Sequence, residues 1–276
     1  MKKIIVPVDF SKYSEYALEA SAILARKHNA EITVLHMLEL SDYISQSQAS
    51  RNNEMMFMLA LANKKIKEFL NKDYLKDLAI AAVIKHDKVF KELGKVSEEL
   101  NADLIIMGSH GLSDHEGVLT GSNTEKVVRY SETPVLVIKT KPENLSIDRI
   151  VYGTDFSEQS IPSFRKASGL LESLGGEITL LHINLPYGHF DSSDEIEAKM
   201  NNFLEKADGD LSKKDKVVIR ADYTVEAGIL NYAEKINADL VAMNTHGRTG
   251  LSHFLSGSIS EDLANHANLP VMVFKL

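Results

Sequence analysis

Ala30-Glu31-Ile32-Thr33-Val34-Leu35-His36 returns later in the chain as Gly176-Glu177-Ile178-Thr179-Leu180-Leu181-His182, and this recurrence decides the fold. Working outward, Val8-Asp9-Phe10-Ser11 returns as Thr154-Asp155-Phe156-Ser157 at the same shift of 146 positions. Downstream the shift falls to 136: Asn101-Ala102-Asp103-Leu104-Ile105 becomes Asn237-Ala238-Asp239-Leu240-Val241, Gly121-Ser122 becomes Gly257-Ser258, and Thr133-Pro134-Val135 becomes Leu269-Pro270-Val271. A repeat at this period, about half the chain, is an internal duplication of one domain. The first copy carries ten extra residues between His36 and Asn101, expected in the polar stretch 41–53. The proline-containing segment 141–146 reads as the linker, so the expected domains are 1–140 and 147–276.

Within each copy, short β-branched runs alternate with helical patterns. Strands are expected over 4–8, 32–36, 80–84, 104–107 and 135–138, and again near Ile150, Ile178, Val218, Leu240 and Val271. Most are apolar throughout, as in strands covered on both faces. Ala17, Ala20, Ser21 and Leu24 share one face of the first helical stretch. Alternation of this kind predicts βαβ units, right-handed crossovers and a parallel sheet. The strand order does not follow from the pattern.

Composition narrows the function. With 44% hydrophobic and 25% charged residues the chain is ordinary for a globular protein. It has no cysteine, which excludes disulfides and thiolate metal sites and fits a cytoplasmic setting. A net charge of -8 without a basic block argues against a nucleic-acid groove, and no apolar run is long enough for membrane insertion.

The chemistry is expected after the fourth strand. There Gly108-Ser109-His110-Gly111 is followed, nine residues on, by Gly121-Ser122 at the start of a helix. Glycine allows positive φ and close approach of backbone to a ligand, and the free N–H groups of a helix start suit an anionic oxygen. Ser122-Asn123-Thr124-Glu125 and Ser258-Ile259-Ser260-Glu261 also fit a capping box, so each serine has a purely structural role open to it.

Asp9 at the end of the first strand, the G-x2-G-x9-G-S loop and the terminal Pro134-Val135-Leu136-Val137 strand together resemble the universal stress protein family, twice over. The resemblance implies an α/β fold: two Rossmann-like domains of the adenine-nucleotide α-hydrolase type. Each would hold a five-stranded parallel sheet of order 3-2-1-4-5 flanked by helices. The first and fourth strands are then neighbours at the topological switch point, where ligands bind beyond the strand ends. It also implies pairing of two domains through their last strands, here within one chain, with further pairing into a homodimer left open. ATP-binding members imply an adenosine side at Pro7, Val8, Asp9 and Met37. Ribose and phosphates would then lie among Met107, Gly108, His110, Gly111, Gly121, Ser122, Asn123 and Thr124. The counterparts in the second copy are Asp155, Ile183, Asn244, His246, Gly247, Arg248, Gly257 and Ser258. Members without the loop do not bind ATP.

Each copy departs from the pattern. In the first, Leu112 stands where many members have Arg, and Asp114 and Glu116 follow. Two carboxylates repel a triphosphate unless a cation intervenes, so Mg²⁺ bound with the nucleotide is one reading and a solvated loop face the other. In the second, Arg248 suits phosphate, but Asn244 replaces the first glycine. Asn tolerates left-handed geometry, yet its side chain is expected to crowd the backbone approach. Gly153 and Thr154 replace Pro7 and Val8. His36 and His182 read as packed, hydrogen-bonded side chains rather than ligand contacts, and Met55-Met56-Phe57-Met58-Leu59 as core, with a partner surface the alternative. Asp9 and Asp155 have no matched acid or nucleophile, and no Walker lysine is present. The expectation is a regulatory protein binding ATP, AMP or another adenine nucleotide, with slow hydrolysis at most. A ligand-free interaction module and a weak ATP hydrolase are the alternatives.

Overall fold

The computed structural model describes residues 1–38, 48–86, 89–109, 122–143, 145–186, 189–245, 263 and 267–276. Ten strands form one sheet. The first half supplies β1 (Lys3–Pro7), β2 (Glu31–Leu38), β3 (Ile80–His86), β4 (Leu104–Gly108) and β5 (Val135–Ile138). The second supplies β6 (Arg149–Gly153), β7 (Glu177–Asn184), β8 (Val217–Ala221), β9 (Leu240–Thr245) and β10 (Val271–Lys275). The order is β3-β2-β1-β4-β5-β10-β9-β6-β7-β8. Every pairing within a half is parallel, and the sequence of strands is 3-2-1-4-5 in each. At the centre β5 runs antiparallel to β10, with Leu136 opposite Met272 and Val135 opposite Val273.

Helices cover both faces. Ile4, Val6 and Ile150 pack on the side of α1 (Lys12–His28), α5 (Ile161–Ser173) and α6 (Ser193–Asp208). Ile5, Val135 and Val151 pack on the side of α3 (Val89–Glu99), α4 (Ser122–Tyr130) and α7 (Val225–Lys235). Adjacent strand residues point to opposite faces, so a central strand with a core on each side must be apolar at every position. This is why the strand runs lack alternation.

One strong match of the repeat is explained at the edge opposite the candidate site. Asn101 and Asn237 end α3 and α7 with φ of 50° and 49°, in the left-handed region that Asn tolerates. Asp103 then accepts from the N–H groups of Lys2 and Lys3, and Asp239 from those of Asp148 and Arg149. The Asn-Ala-Asp motif therefore clamps the first strand of each half.

The additional length of the first half includes helix: α2 spans Gln48–Phe69, 22 residues against 16 in α6. The polar stretch 41–53 is thus helical from Gln48 on, and its earlier part lies outside the described residues. The core reading of Met55–Leu59 is corrected at two positions, while Met55, Met58 and Leu59 are half-buried. Met56 is 69% and Phe57 67% exposed. Ala62 and Ile66, which continue the face of Met58 and Leu59 at helical spacing, are buried.

Candidate functional site

In both halves the strand that opens the domain leaves the sheet at its C-terminal end in the same way. Val8 N–H donates to Leu35 O at 2.9 Å, and Thr154 N–H to Leu181 O at 2.9 Å. The next residue, Asp9 or Asp155, accepts from the N–H two residues on, Ser11 or Ser157, at 2.9 Å. An Asx turn of this kind reverses the chain into the following helix. Between them Phe10 and Phe156 adopt φ of 67° and 56°. A non-glycine residue there stores about 1–3 kcal/mol of strain, which surrounding packing must hold.

The packing is a histidine from the second strand. His36 Nδ1 donates to Val8 O at 2.8 Å, and His182 Nδ1 to Thr154 O at 3.1 Å. The ring of Phe10 lies 4.5 Å from that of His36, and the Phe156 ring stacks on His182 at 5.3 Å. Both histidines are thus packed and hydrogen-bonded, as the sequence suggests. Burial pushes the His182 pKa down, so the ring stays neutral with its proton on Nδ1. Burial acts to raise Asp9, but hydrogen bonds from the Ser11 side chain and N–H and from Ser14 outweigh it and hold the carboxyl below its usual range. Asp9 is therefore an ionised turn-former with its partners already assigned.

The sheet order brings several expected residues together. β1 lies between β2 and β4, so Pro7, Val8 and Asp9 stand beside Met107 and Gly108, with Met37 two residues beyond the last β1–β2 pair. Thr124 on α4 is buried and donates to Gly108 O at 3.4 Å, fixing α4 over the end of β4. Ser122 and Asn123 open α4 as expected. His110, Gly111 and Gly121, with the first-loop residues 112–116, lie outside the described residues, as do His246, Gly247, Arg248, Gly257 and Ser258. In the second half Asp155, Ile183 and Asn244 occupy the matching strand ends.

Two expectations about the glycine positions are corrected. Gly108 does not need positive φ: it is the last residue of β4, paired with Ile138. It is glycine because a Cβ would lie 2.1 Å from Tyr13 O in the first turn of α1. Asn244 likewise ends no left-handed turn and does not crowd the outer edge of the strand. It continues β9, is 2% exposed, and turns its amide into the core. Its Oδ1 accepts from Tyr152 OH at 2.6 Å and its Nδ2 donates to Ser160 O at 3.5 Å. The carbonyl it meets belongs to the start of α5, as Tyr13 O belongs to the start of α1. Room is made by that start: α1 is helical from Lys12, whereas α5 begins at Ile161 after a 3₁₀ turn over Glu158–Ser160.

Phe10, Phe156 and Tyr152 are not singled out by the sequence reading. The phenylalanines carry a signal, since Asp-Phe-Ser recurs intact. Tyr152 carries only its placement at the position of Val6.

This arrangement, duplicated and joined at β5–β10, is matched among known proteins. The chain belongs to the universal stress protein family, whose sequence model fits residues 1–139 and again 146–275. It is 24% identical over 287 residues to a universal stress protein of Mycolicibacterium smegmatis, covering 99% of this chain and 96% of that one. It is 30% identical over 161 residues to a universal stress protein of Methanocaldococcus jannaschii, covering 51% of this chain and 96% of the relative. Among solved structures, a universal stress protein from Archaeoglobus fulgidus matches with a TM-score of 0.68 at 24% identity, over 99% of this chain and 98% of that one. That likeness is one of fold.

Proposed function

We propose that this universal stress protein is a regulatory protein that binds an adenine nucleotide, ATP in the first instance, at the C-terminal edge of its sheet. The observation that carries the reading is the adjacency of β1 and β4 in a 3-2-1-4-5 order, with Asp9 and Gly108 at their ends. Ligands of open α/β sheets bind at such a switch point. Pro7, Val8 and Met37 would line the adenosine side. Met107, Gly108 and Thr124 would border ribose and phosphates. His110, Gly111, Gly121, Ser122 and Asn123 would complete the phosphate loop, and Mg²⁺ would arrive with the nucleotide. Bound nucleotide would bridge the β1 turn and the α4 start.

The same chemistry speaks for binding rather than turnover. Asp9 accepts from Ser11 and Ser14 and is held below the usual carboxyl range, which makes it a weak base toward an attacking water. Hydrolysis would then be slow at most. The two halves, joined through β5 and β10, give one nucleotide a route to alter the whole chain. The test is calorimetric titration of nucleotide-stripped protein with ATP and Mg²⁺. Micromolar binding is expected. No heat, together with no nucleotide released on denaturing fresh protein, would leave a ligand-free interaction module as the function.

A further inference from the structure

We infer that the chain holds one nucleotide, in its first half, and that the matching crevice of the second half is closed by its own side chains. The inference rests on the adenine-nucleotide reading and adds which half carries it. Three differences between the copies support it, each read at positions the repeat makes equivalent.

The first is beneath the strand ends. Val6 and Gly108 are replaced by Tyr152 and Asn244, which bond to each other at 2.6 Å and are 1% and 2% exposed. Satisfied buried polar pairs of this kind rigidify the elements they join. They tie β6 to β9, and the turn that Asn244 meets, over Glu158–Ser160, is 3₁₀ where its counterpart at the start of α1 is α-helical.

The second is at the turn. Phe10 and His36 are each partly exposed beside Asp9, open to a ligand. Phe156 and His182 are 3% and 4% exposed, stacked and enclosed.

The third is the adenosine side itself. In the second half, among the described residues, Thr154, Asp155, Leu181, His182, Ile183 and Ile229 line a crevice of about 10 Å³, room for about one water. Pockets for drug-sized ligands run to roughly 300–1,000 Å³. The closeness comes from two glycines. A Cβ on Gly228 would lie 2.7 Å from Ile183 Cδ1, and one on Gly153 would lie 2.8 Å from Ile229 Cδ1. Their counterparts in the first half are Glu92 and Pro7, neither of them glycine.

The experiment uses the full wild-type chain, stripped of nucleotide. Titration with ATP and Mg²⁺ gives the stoichiometry, and photolabelling with 8-azido-ATP followed by peptide mass mapping gives the location. One equivalent bound and label confined to residues 1–139 is the expected result. Two equivalents, or label on peptides of 146–275, would overturn the assignment while leaving the nucleotide reading intact. No binding and no competable label would overturn the nucleotide reading and the assignment with it.

Discussion

Replacing Tyr152 by Phe removes one oxygen from the centre of the second half and nothing else. The hydroxyl donates to Asn244 Oδ1 at 2.6 Å, and both side chains are essentially without solvent contact. In Tyr152→Phe the amide oxygen stays where it is, because Nδ2 is held by Ser160 O. It is then a buried acceptor with no donor, and water has no route to replace the phenol. Leaving such a group unsatisfied costs about 1–3 kcal/mol. The expected loss is in that range, with a fall in melting temperature of about 2–4 °C for each kcal/mol. Urea denaturation followed by circular dichroism measures it. A double-mutant cycle with Asn244→Ala isolates the pair: the two losses should be strongly less than additive, since either change alone orphans the other group. A Tyr152→Phe protein within about 0.5 kcal/mol of wild type would refute the reasoning, because it would mean that the phenol is not the donor the amide depends on.

The remaining expectations follow from the same contacts. Gly108→Ala should destabilise by about 1–3 kcal/mol or more, because its Cβ would meet the Tyr13 carbonyl rather than a flexible side-chain tip; unchanged denaturation midpoints would show that α1 yields freely. Lys139, 7% exposed and 3.5 Å from Leu263 O, is pushed by burial from the ordinary 10.5 down to about 8, against the pull of Glu226. The folded pKa lies below the unfolded one, so the unfolded chain binds the proton more tightly between pH 8 and 10.5, and this residue makes stability rise with pH across that window. Lys139→Met should therefore stabilise at pH 7, by up to about 3 kcal/mol, and lose that advantage by pH 10.5; a constant difference at the two pH values would contradict it. Its counterpart Lys275 pairs with Glu132 at 2.5 Å, so Lys275→Met should show no such gain at neutral pH in the same melts.

The start of α4 at Ser122 was legible because a serine after glycine, with Glu three residues on, marks a helix start in sequence. The reason for Gly108 was not legible: a glycine kept for close approach to Tyr13 O looks identical to one kept for a left-handed turn until the helix is in place. Met56 and Phe57 misled for a similar reason. Five consecutive apolar residues on a helix cannot all face one core, and only the packing of α2 shows which of them do.

By itself the sequence determined the duplication, the alternation of strands and helices, and the strand positions, since these depend on local pattern and on comparing the chain with itself. The Asx turns at Asp9 and Asp155, each closed within two residues, were seen only in the structure. The tertiary structure alone decided what spans distance. It set β5 against β10, made Asn244 a core residue bonded to Tyr152 across 92 positions, and buried Phe156 and His182 where Phe10 and His36 stay partly exposed. A side chain's direction depends on what packs against its strand, and those neighbours are fixed only when the sheet is assembled.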